Sequence, residues 1–368
     1  MTNERYVLSD STSVDSPSLL YYPEIIQENI GKAIEIAGGA QRLWPHVKTH
    51  KLAPIVLMQQ HSGIERFKCA TVAEAEMLGA FGARHVMLAY PVVGPSIPRF
   101  ITLMKKFPDT AWWAVGDNEN VLEQLNRQTS EAGLHPNILI DVNMGMNRTG
   151  VLPDALEDFY LSQTRHKNLN LRGLHGYDGH ITEPDPAKRK KNTDTAAHRV
   201  LEIRDSLQAR GLNLDTVVMG GTPTFPCHAL RKNIYLSPGT LFVNDYGYAS
   251  RYIDLPFIPA AALLTRVISH PAPGLFTLDL GYKAISSDPQ GVHGIITSLP
   301  HATPVSQSEE HWVFNKNDGI LPAVGDVLYI IPTHICTTAA LYDEALVVHE
   351  GKVTDIWHAP ARKRRITI

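Results

Sequence analysis

Five short stretches carry residue types that can do chemistry. Trp44–Lys51 reads Trp-Pro-His-Val-Lys-Thr-His-Lys, with Lys48 at the end of an apolar run. An amine at the end of a barrel strand can form a Schiff base once burial or neighbouring positive charge lowers its pKa. His50 and Lys51 are placed to supply that field, although a solvated loop would carry the same residues. Asp141–Gly150 follows another apolar run and puts Arg148 in a glycine-bounded loop. A guanidinium there can hold a phenolate or carboxylate oxygen, or pair with a surface acid. Met219–Thr224 reads Met-Gly-Gly-Thr-Pro-Thr. Its glycines Gly220 and Gly221 allow close backbone approach to a phosphate, and Thr222 and Thr224 add donors. No Gly-Lys-Ser/Thr follows, so it is not a P-loop. Gly173–His180 places Tyr177, Asp178 and His180 at a further strand end, where Tyr177 or His180 can act as acid or base. Finally, His334 and Cys336 are two residues apart. In an extended segment they face the same side, and an imidazole with a thiolate suits Zn²⁺.

The elements that must position these residues alternate along the chain. Strand candidates fall at Leu19–Tyr22, Leu43–Lys48, Phe67–Ala70, His85–Ala89, Ala111–Val115, Ile138–Val142, Leu171–Gly176, Thr216–Met219 and Leu236–Val243, with helical stretches between most of them. Parallel strands need such crossovers, and about eight βα units close a barrel; an open doubly wound sheet is the rival. After Pro256 the pattern changes to short β-like runs separated by turn residues. The expected fold class is α/β: a (β/α)8 barrel over residues 18–255, then an antiparallel β domain over 256–368, which residues 1–17 can join.

Length and composition agree. A chain of 368 residues, 43% hydrophobic and 19% charged, suits a barrel of about 250 residues plus a smaller partner. The formal charge of −3 does not suggest a nucleic-acid partner, which normally needs a surface of clustered Lys/Arg. The runs Lys188-Arg189-Lys190-Lys191 and Arg362-Lys363-Arg364-Arg365 read as solvated faces or a tail. No stretch suits a membrane span or signal peptide. Cys69, Cys227 and Cys336 are odd in number and far apart, so a disulfide framework is not expected and a reducing cytoplasm is.

These stretches, together with Phe67–Ala75 (Phe-Lys-Cys-Ala-Thr-Val-Ala-Glu-Ala) and Ser237–Thr240 (Ser-Pro-Gly-Thr), resemble the D-threonine aldolase and D-serine dehydratase family, relatives of alanine racemase. The motifs span nearly the whole chain in the family's order. The resemblance implies a homodimer that binds pyridoxal 5'-phosphate as an imine on Lys48, with Lys51 the second choice. It implies Arg148 and Tyr177 at the cofactor, and Gly220, Gly221, Thr222 and Thr224 at its phosphate. It also implies a divalent metal on His334 and Cys336, zinc first and manganese or magnesium as alternatives, brought to the cofactor by the second domain. The substrate is then a D-3-hydroxy amino acid. Two reactions follow: retro-aldol cleavage to glycine and an aldehyde, or elimination to a 2-keto acid and ammonia. His-x-Cys is similar to the dehydratase branch, whereas Gly173–His180 is similar to the aldolase pattern, and the aldolase is preferred. A racemase and a non-catalytic cofactor carrier are the remaining readings.

Overall fold

The computed structural model describes residues 5–316 and 319–368. They divide into two compact units. One comprises Ala33–Gly239 with Pro360–Ile368; the other comprises the residues up to Lys32 with Thr240–Ala359.

Strand β1 (Ser18–Tyr21) and helix α1 (Pro23–Ala37) come first. The first unit then runs α2 (Ala53–His61), β2 (Arg66–Cys69), α3 (Val72–Ala80), β3 (His85–Leu88), α4 (Ser96–Lys106), β4 (Ala111–Gly116), α5 (Glu119–Ala132) and β5 (Asn137–Val142). It continues with α6 (Pro153–Gln163), β6 (Asn170–Gly176), α7 (Pro186–Ala209), β7 (Thr216–Met219), α8 (Phe225–Ala229) and β8 (Tyr235–Leu236). Strands β2 to β8 form one parallel sheet in sequence order. Strands β3, β4, β5 and β7 are nearly continuous apolar runs because helices cover them, as parallel sheets require. The extended segment 43–47 closes the ring. Leu43 bridges Leu236 and His46 bridges Lys68, both parallel. Trp44 N–H donates to Leu236 O and Val47 N–H to Lys68 O. This eighth stave is stitched by bridges rather than a regular ladder, since Pro45 has no N–H to give.

Local chemistry sets the helices. Pro186 starts α7 behind the N-cap Asp185, whose side chain accepts from Lys188 N–H. Its buried residues Arg189, Thr193, Ala197, Val200, Ile203 and Leu207 recur every three or four positions, one helix face. Arg189 therefore corrects the reading of 188–191 as a solvated run. It is fully buried and gives its guanidinium to the carbonyls of Glu183 and Pro184. Helix phase decides this, and the charge run alone does not show it.

Inside the ring Trp44, Met87, Trp113, Val115, Leu139 and Val218 pack together. Trp44 and Trp113 meet edge to face at 5.2 Å, a favoured aromatic geometry.

The second unit holds a nine-stranded sheet of β1, β9 (Ala261–Ser269), β10 (Leu275–Leu278), β11 (Gly294–Ile296), β12 (Thr303–Gln307), β13 (Trp312–Asn315), β14 (Val327–Pro332), β15 (Glu344–His349) and β16 (Lys352–His358). Its pairs are antiparallel except β1 with β15. The first strand thus lies in this sheet and not in the barrel ring: Leu20 pairs with Ala262 and Leu346. An apolar Leu-Leu-Tyr run fits the middle of either sheet, so periodicity does not choose. The run read as Leu236–Val243 also changes. Strand pairing stops at Leu236, and Thr240–Phe242 is a 3-10 turn, because Pro238 and Gly239 end the ladder. Helices α9 (Tyr246–Arg251) and α10 (Ile335–Ala339) complete the unit. Among the described residues no helix is long and apolar enough to cross a membrane.

Candidate active site

The barrel interior is layered, and side chains two residues further along each stave lie one layer higher. Two positions beyond Trp44 is His46, and two beyond that is Lys48. Leu139 is followed likewise by Asp141 and Asn143, and His175 by Tyr177. All of these except the core residues Trp44 and Leu139 line a cavity of about 560 Å³ with Ala70, Ala89, Tyr90, Met144, Arg148 and Thr149. The volume suits a small cofactor.

Three cations surround one aromatic ring here. Lys48 Nζ is 5.9 Å from the centre of Tyr177, Lys68 Nζ 5.7 Å and the Arg148 guanidinium carbon 5.1 Å. Lys68 is a residue that the sequence reading missed. It is buried, and burial and then Lys48 push its pKa down to about 7, against Asp141 and Asp178. Its signal was available: it stands at an inward position of β2, where an apolar residue is expected.

The expected field from His50 and Lys51 is not what the site uses. His50 is buried, its Nδ1 accepts from Leu52 N–H, and burial takes its pKa down to about 3, so it is neutral. Lys51 ends the turn that carries Lys48, with φ of 55° and its N–H on Val47 O. Its amine is bound by the fully buried Glu74. Glu74 also accepts from Ala70 N–H at 2.7 Å, while Thr71 caps α3 by accepting from Glu74 N–H, a variant of the capping box. The Ala-Thr-Val-Ala-Glu motif is therefore the clamp for the lysine turn. It also separates the two lysines: Lys51 is engaged, and Lys48 faces the cavity.

His175 and Asp141 were also missed as a pair. They are register neighbours on β6 and β5, with Nδ1 2.7 Å from Oδ1. Burial lowers the His175 pKa, outweighing Asp141. For Asp141 burial pushes upward, but the His175 hydrogen bond leads a net lowering. The pair is thus a neutral imidazole on a carboxylate, and His175 Nε2 is buried without a partner.

Arg148 sits in a loop closed on itself. Asn143 Oδ1 accepts from Gly145 and Asn147 N–H, and Val151 returns to bridge Val142. Gly150 has φ of 102°, and a Cβ there would lie 2.5 Å from Asn143 N, so the return requires glycine. Tyr177 lines the cavity. His180 is exposed and does not; a Cβ on Gly145 would lie 3.0 Å from its Nε2. Gly220, Gly221, Thr222 and Thr224 are buried in the loop after β7. A Cβ at Gly220 would lie 2.8 Å from the His228 ring, and one at Gly221 2.9 Å from Tyr177. Three cations and an unpartnered buried imidazole nitrogen call for an anionic ligand with polar ring atoms. Pyridoxal phosphate has that chemistry, and these residues fit it.

In the second unit the His334–Cys336 segment is not extended. His334 is the N-cap of α10, and Cys336 lies in its first turn. The two side chains still meet, because a helix start folds them together. The Cys336 contact, with Asp288 behind it, raises His334 to about 9. Asp288 Oδ2 lies 2.6 Å from His334 Nδ1, the carboxylate–imidazole arrangement that orients metal ligands. Buried Asp245 accepts from Ile335 N–H and Tyr248 N–H, and burial raises it to about 6. Among the described residues no group of three or more ligating side chains forms. The donor types fit an open metal site, with water or substrate supplying the other positions.

Ring and mouth define an α/β-barrel enzyme with an amine-bearing site for an anionic ligand. The chain belongs to the family of the alanine racemase N-terminal domain, whose family model matches residues 23–246. Residues 260–348 match a putative serine dehydratase domain. The D-threonine aldolase of Arthrobacter sp is 29% identical over 361 residues, covering 95% of this chain and 93% of that protein. The 3-hydroxy-D-aspartate aldolase of Paracoccus denitrificans (strain Pd 1222) is 28% identical, covering 96% and 93%. The crystal structure of D-threonine aldolase from Filomicrobium marinum has a TM-score of 0.87 at 27% identity, covering 95% and 96%.

Proposed function

We propose that this chain is a pyridoxal phosphate-dependent lyase that cleaves D-3-hydroxy amino acids to glycine and an aldehyde, as a D-threonine aldolase does. The observation that carries this reading is the cation set around Tyr177, with Lys48 at the cavity while Glu74 holds Lys51. Lys48 holds the cofactor's aldehyde carbon, Arg148 and Tyr177 its ring, and Gly220, Gly221 and Thr222 in the loop after β7 its phosphate. The bound cofactor supplies an electron sink for the bond that breaks. The chain's own groups do the rest. Arg148 and Lys68 hold negative charge at the mouth, and burial keeps water from competing for Lys68. Tyr177 or His180 takes the proton from the substrate's 3-hydroxyl. His334 and Cys336 hold a divalent ion, zinc first and manganese or magnesium next, which supplies Lewis acidity. Asp288 orients His334 for that role. A homodimer in the cytoplasm completes the proposal.

A second reading is favoured by one feature: residues 260–348 match the putative serine dehydratase domain and carry Cys336. That reading is elimination to a 2-keto acid and ammonia. Incubation with D-threonine and D-serine, with and without chelator, separates the two. Glycine plus acetaldehyde, lost in chelator, is the expected result. A 2-keto acid plus ammonia establishes the alternative. Turnover that survives metal removal would overturn the metal's role.

A further inference from the structure

Behind the loop after β7 lies a second polar set. Asp178, Thr224 and His228 are almost wholly buried, and none of them lines the cavity. Thr224 Oγ1 donates to Asp178 Oδ1 at 2.7 Å, and His228 Nε2 lies 2.7 Å from Oδ2. Both carboxylate oxygens are thus engaged. Gly221 N–H donates to Thr224 Oγ1 at 3.1 Å, and Gly220 N–H to Gly176 O at 3.2 Å. A hydroxyl has a single proton to donate. That of Thr224 goes to Asp178, so none remains for an anion.

The three residues come from both sides of the loop. Asp178 follows Tyr177 at the end of β6. Thr224 ends the loop, and His228 sits on α8 behind it. The His228 ring fills the space over Gly220, which only a glycine with φ of 87° leaves open. Burial pushes the Asp178 pKa upward, but the His228 and Thr224 contacts bring it below the ordinary carboxylate value. A buried carboxylate held this way is costly if any partner is lost, and it fixes geometry. Tyr177 lies against Gly221, so one dipeptide, Tyr177-Asp178, sets both the aromatic ring and the loop.

We propose that Asp178, Thr224 and His228 form a buried strut that shapes the Gly220–Thr224 loop for the cofactor's phosphate group, as positioning residues that touch neither cofactor nor substrate. This rests on the phosphate assignment made above. The test compares visible-absorbance titrations of the full-length apoprotein with pyridoxal phosphate and with pyridoxal, which lacks the phosphate. Thr224→Val and Asp178→Asn should weaken pyridoxal phosphate roughly tenfold or more, the scale of one charge-assisted hydrogen bond, and leave pyridoxal within about twofold. Thr224→Ser should restore the wild-type ratio. If Asp178→Asn does not fold, the two Thr224 variants carry the test. Equal weakening of both ligands, or no change in either, overturns the strut. A wild-type protein that binds both ligands equally overturns the phosphate assignment itself, and the strut with it.

Discussion

The barrel mouth and the His334–Cys336 pair both gather polar side chains, yet they are built differently. At the mouth most supporting groups are buried and held by one another, Lys51 by Glu74, His175 by Asp141, Asp178 by Thr224 and His228, while His175 Nε2 and His228 Nδ1 are left without a partner. At the pair the supporting carboxylate is half exposed, and among the described residues no group of three or more ligating side chains forms. Buried charge-assisted hydrogen bonds of this kind rigidify their surroundings, so the mouth is preorganised by its own chain. On the proposed reading, the pair needs an ion and a further ligand to fix it. Substitutions of these mutually bonded groups at the mouth should therefore cost stability as well as chemistry, and substitutions at the pair chemistry alone.

The largest effect is expected at Lys48. Lys48→Ala should abolish the visible band on adding pyridoxal phosphate and lower turnover by about 10³-fold or more. Lys51→Ala should keep the band while destabilising the fold. A protein that kept its band without Lys48 and lost it without Lys51 would reverse the assignment of the two lysines. Next come His334→Ala and Cys336→Ala, each expected to cut turnover on the order of 100-fold, with melting temperature and cofactor band close to wild type. A large loss of melting temperature in either variant would break the contrast between the two regions.

A third comparison sets a buried pair against a surface one. Glu74→Gln leaves Lys51 without its counter-charge and should cost on the order of 3 kcal/mol by denaturant titration. Glu65→Gln breaks the exposed pair with Arg84 and should cost about 0.5 kcal/mol or less. Similar losses from both would mean that the clamp on the lysine turn is not buried as described.

Much of this was legible in the sequence. The alternation of apolar runs and amphipathic stretches revealed the barrel, and Lys48, Arg148 and Tyr177 stood out because they follow strands. What escaped has physical reasons. Lys68 hides inside a motif read only as a family marker, and its inward direction depends on strand phase. The His175–Asp141 pair depends on the register between β5 and β6, which no local pattern fixes. Thr224 looked like a phosphate donor because a hydroxyl beside glycines suits that role; its partner Asp178 lies 46 residues earlier in the chain. The His334–Cys336 segment was read as extended because a two-residue spacing suits a strand, yet a short helix brings the same side chains together.

The last effect expected concerns Lys68 and works through pH. Its folded pKa of about 7 lies below the ordinary lysine value of 10.5. Between those values the unfolded chain binds more protons than the native one, so this residue makes stability rise with pH across that window. Below it both states carry the charge, and the native state bears the full cost of burying it beside Lys48 and Arg148, offset in part by Asp141 and Asp178. Lys68→Met removes that dependence. The variant should melt above wild type at pH 6.5, with the difference shrinking steadily toward pH 10. Thermal melts across that range decide it. A difference independent of pH would mean that the Lys68 amine is solvated in the native barrel, and that the mouth holds one buried cation fewer than the contrast with the metal pair assumes.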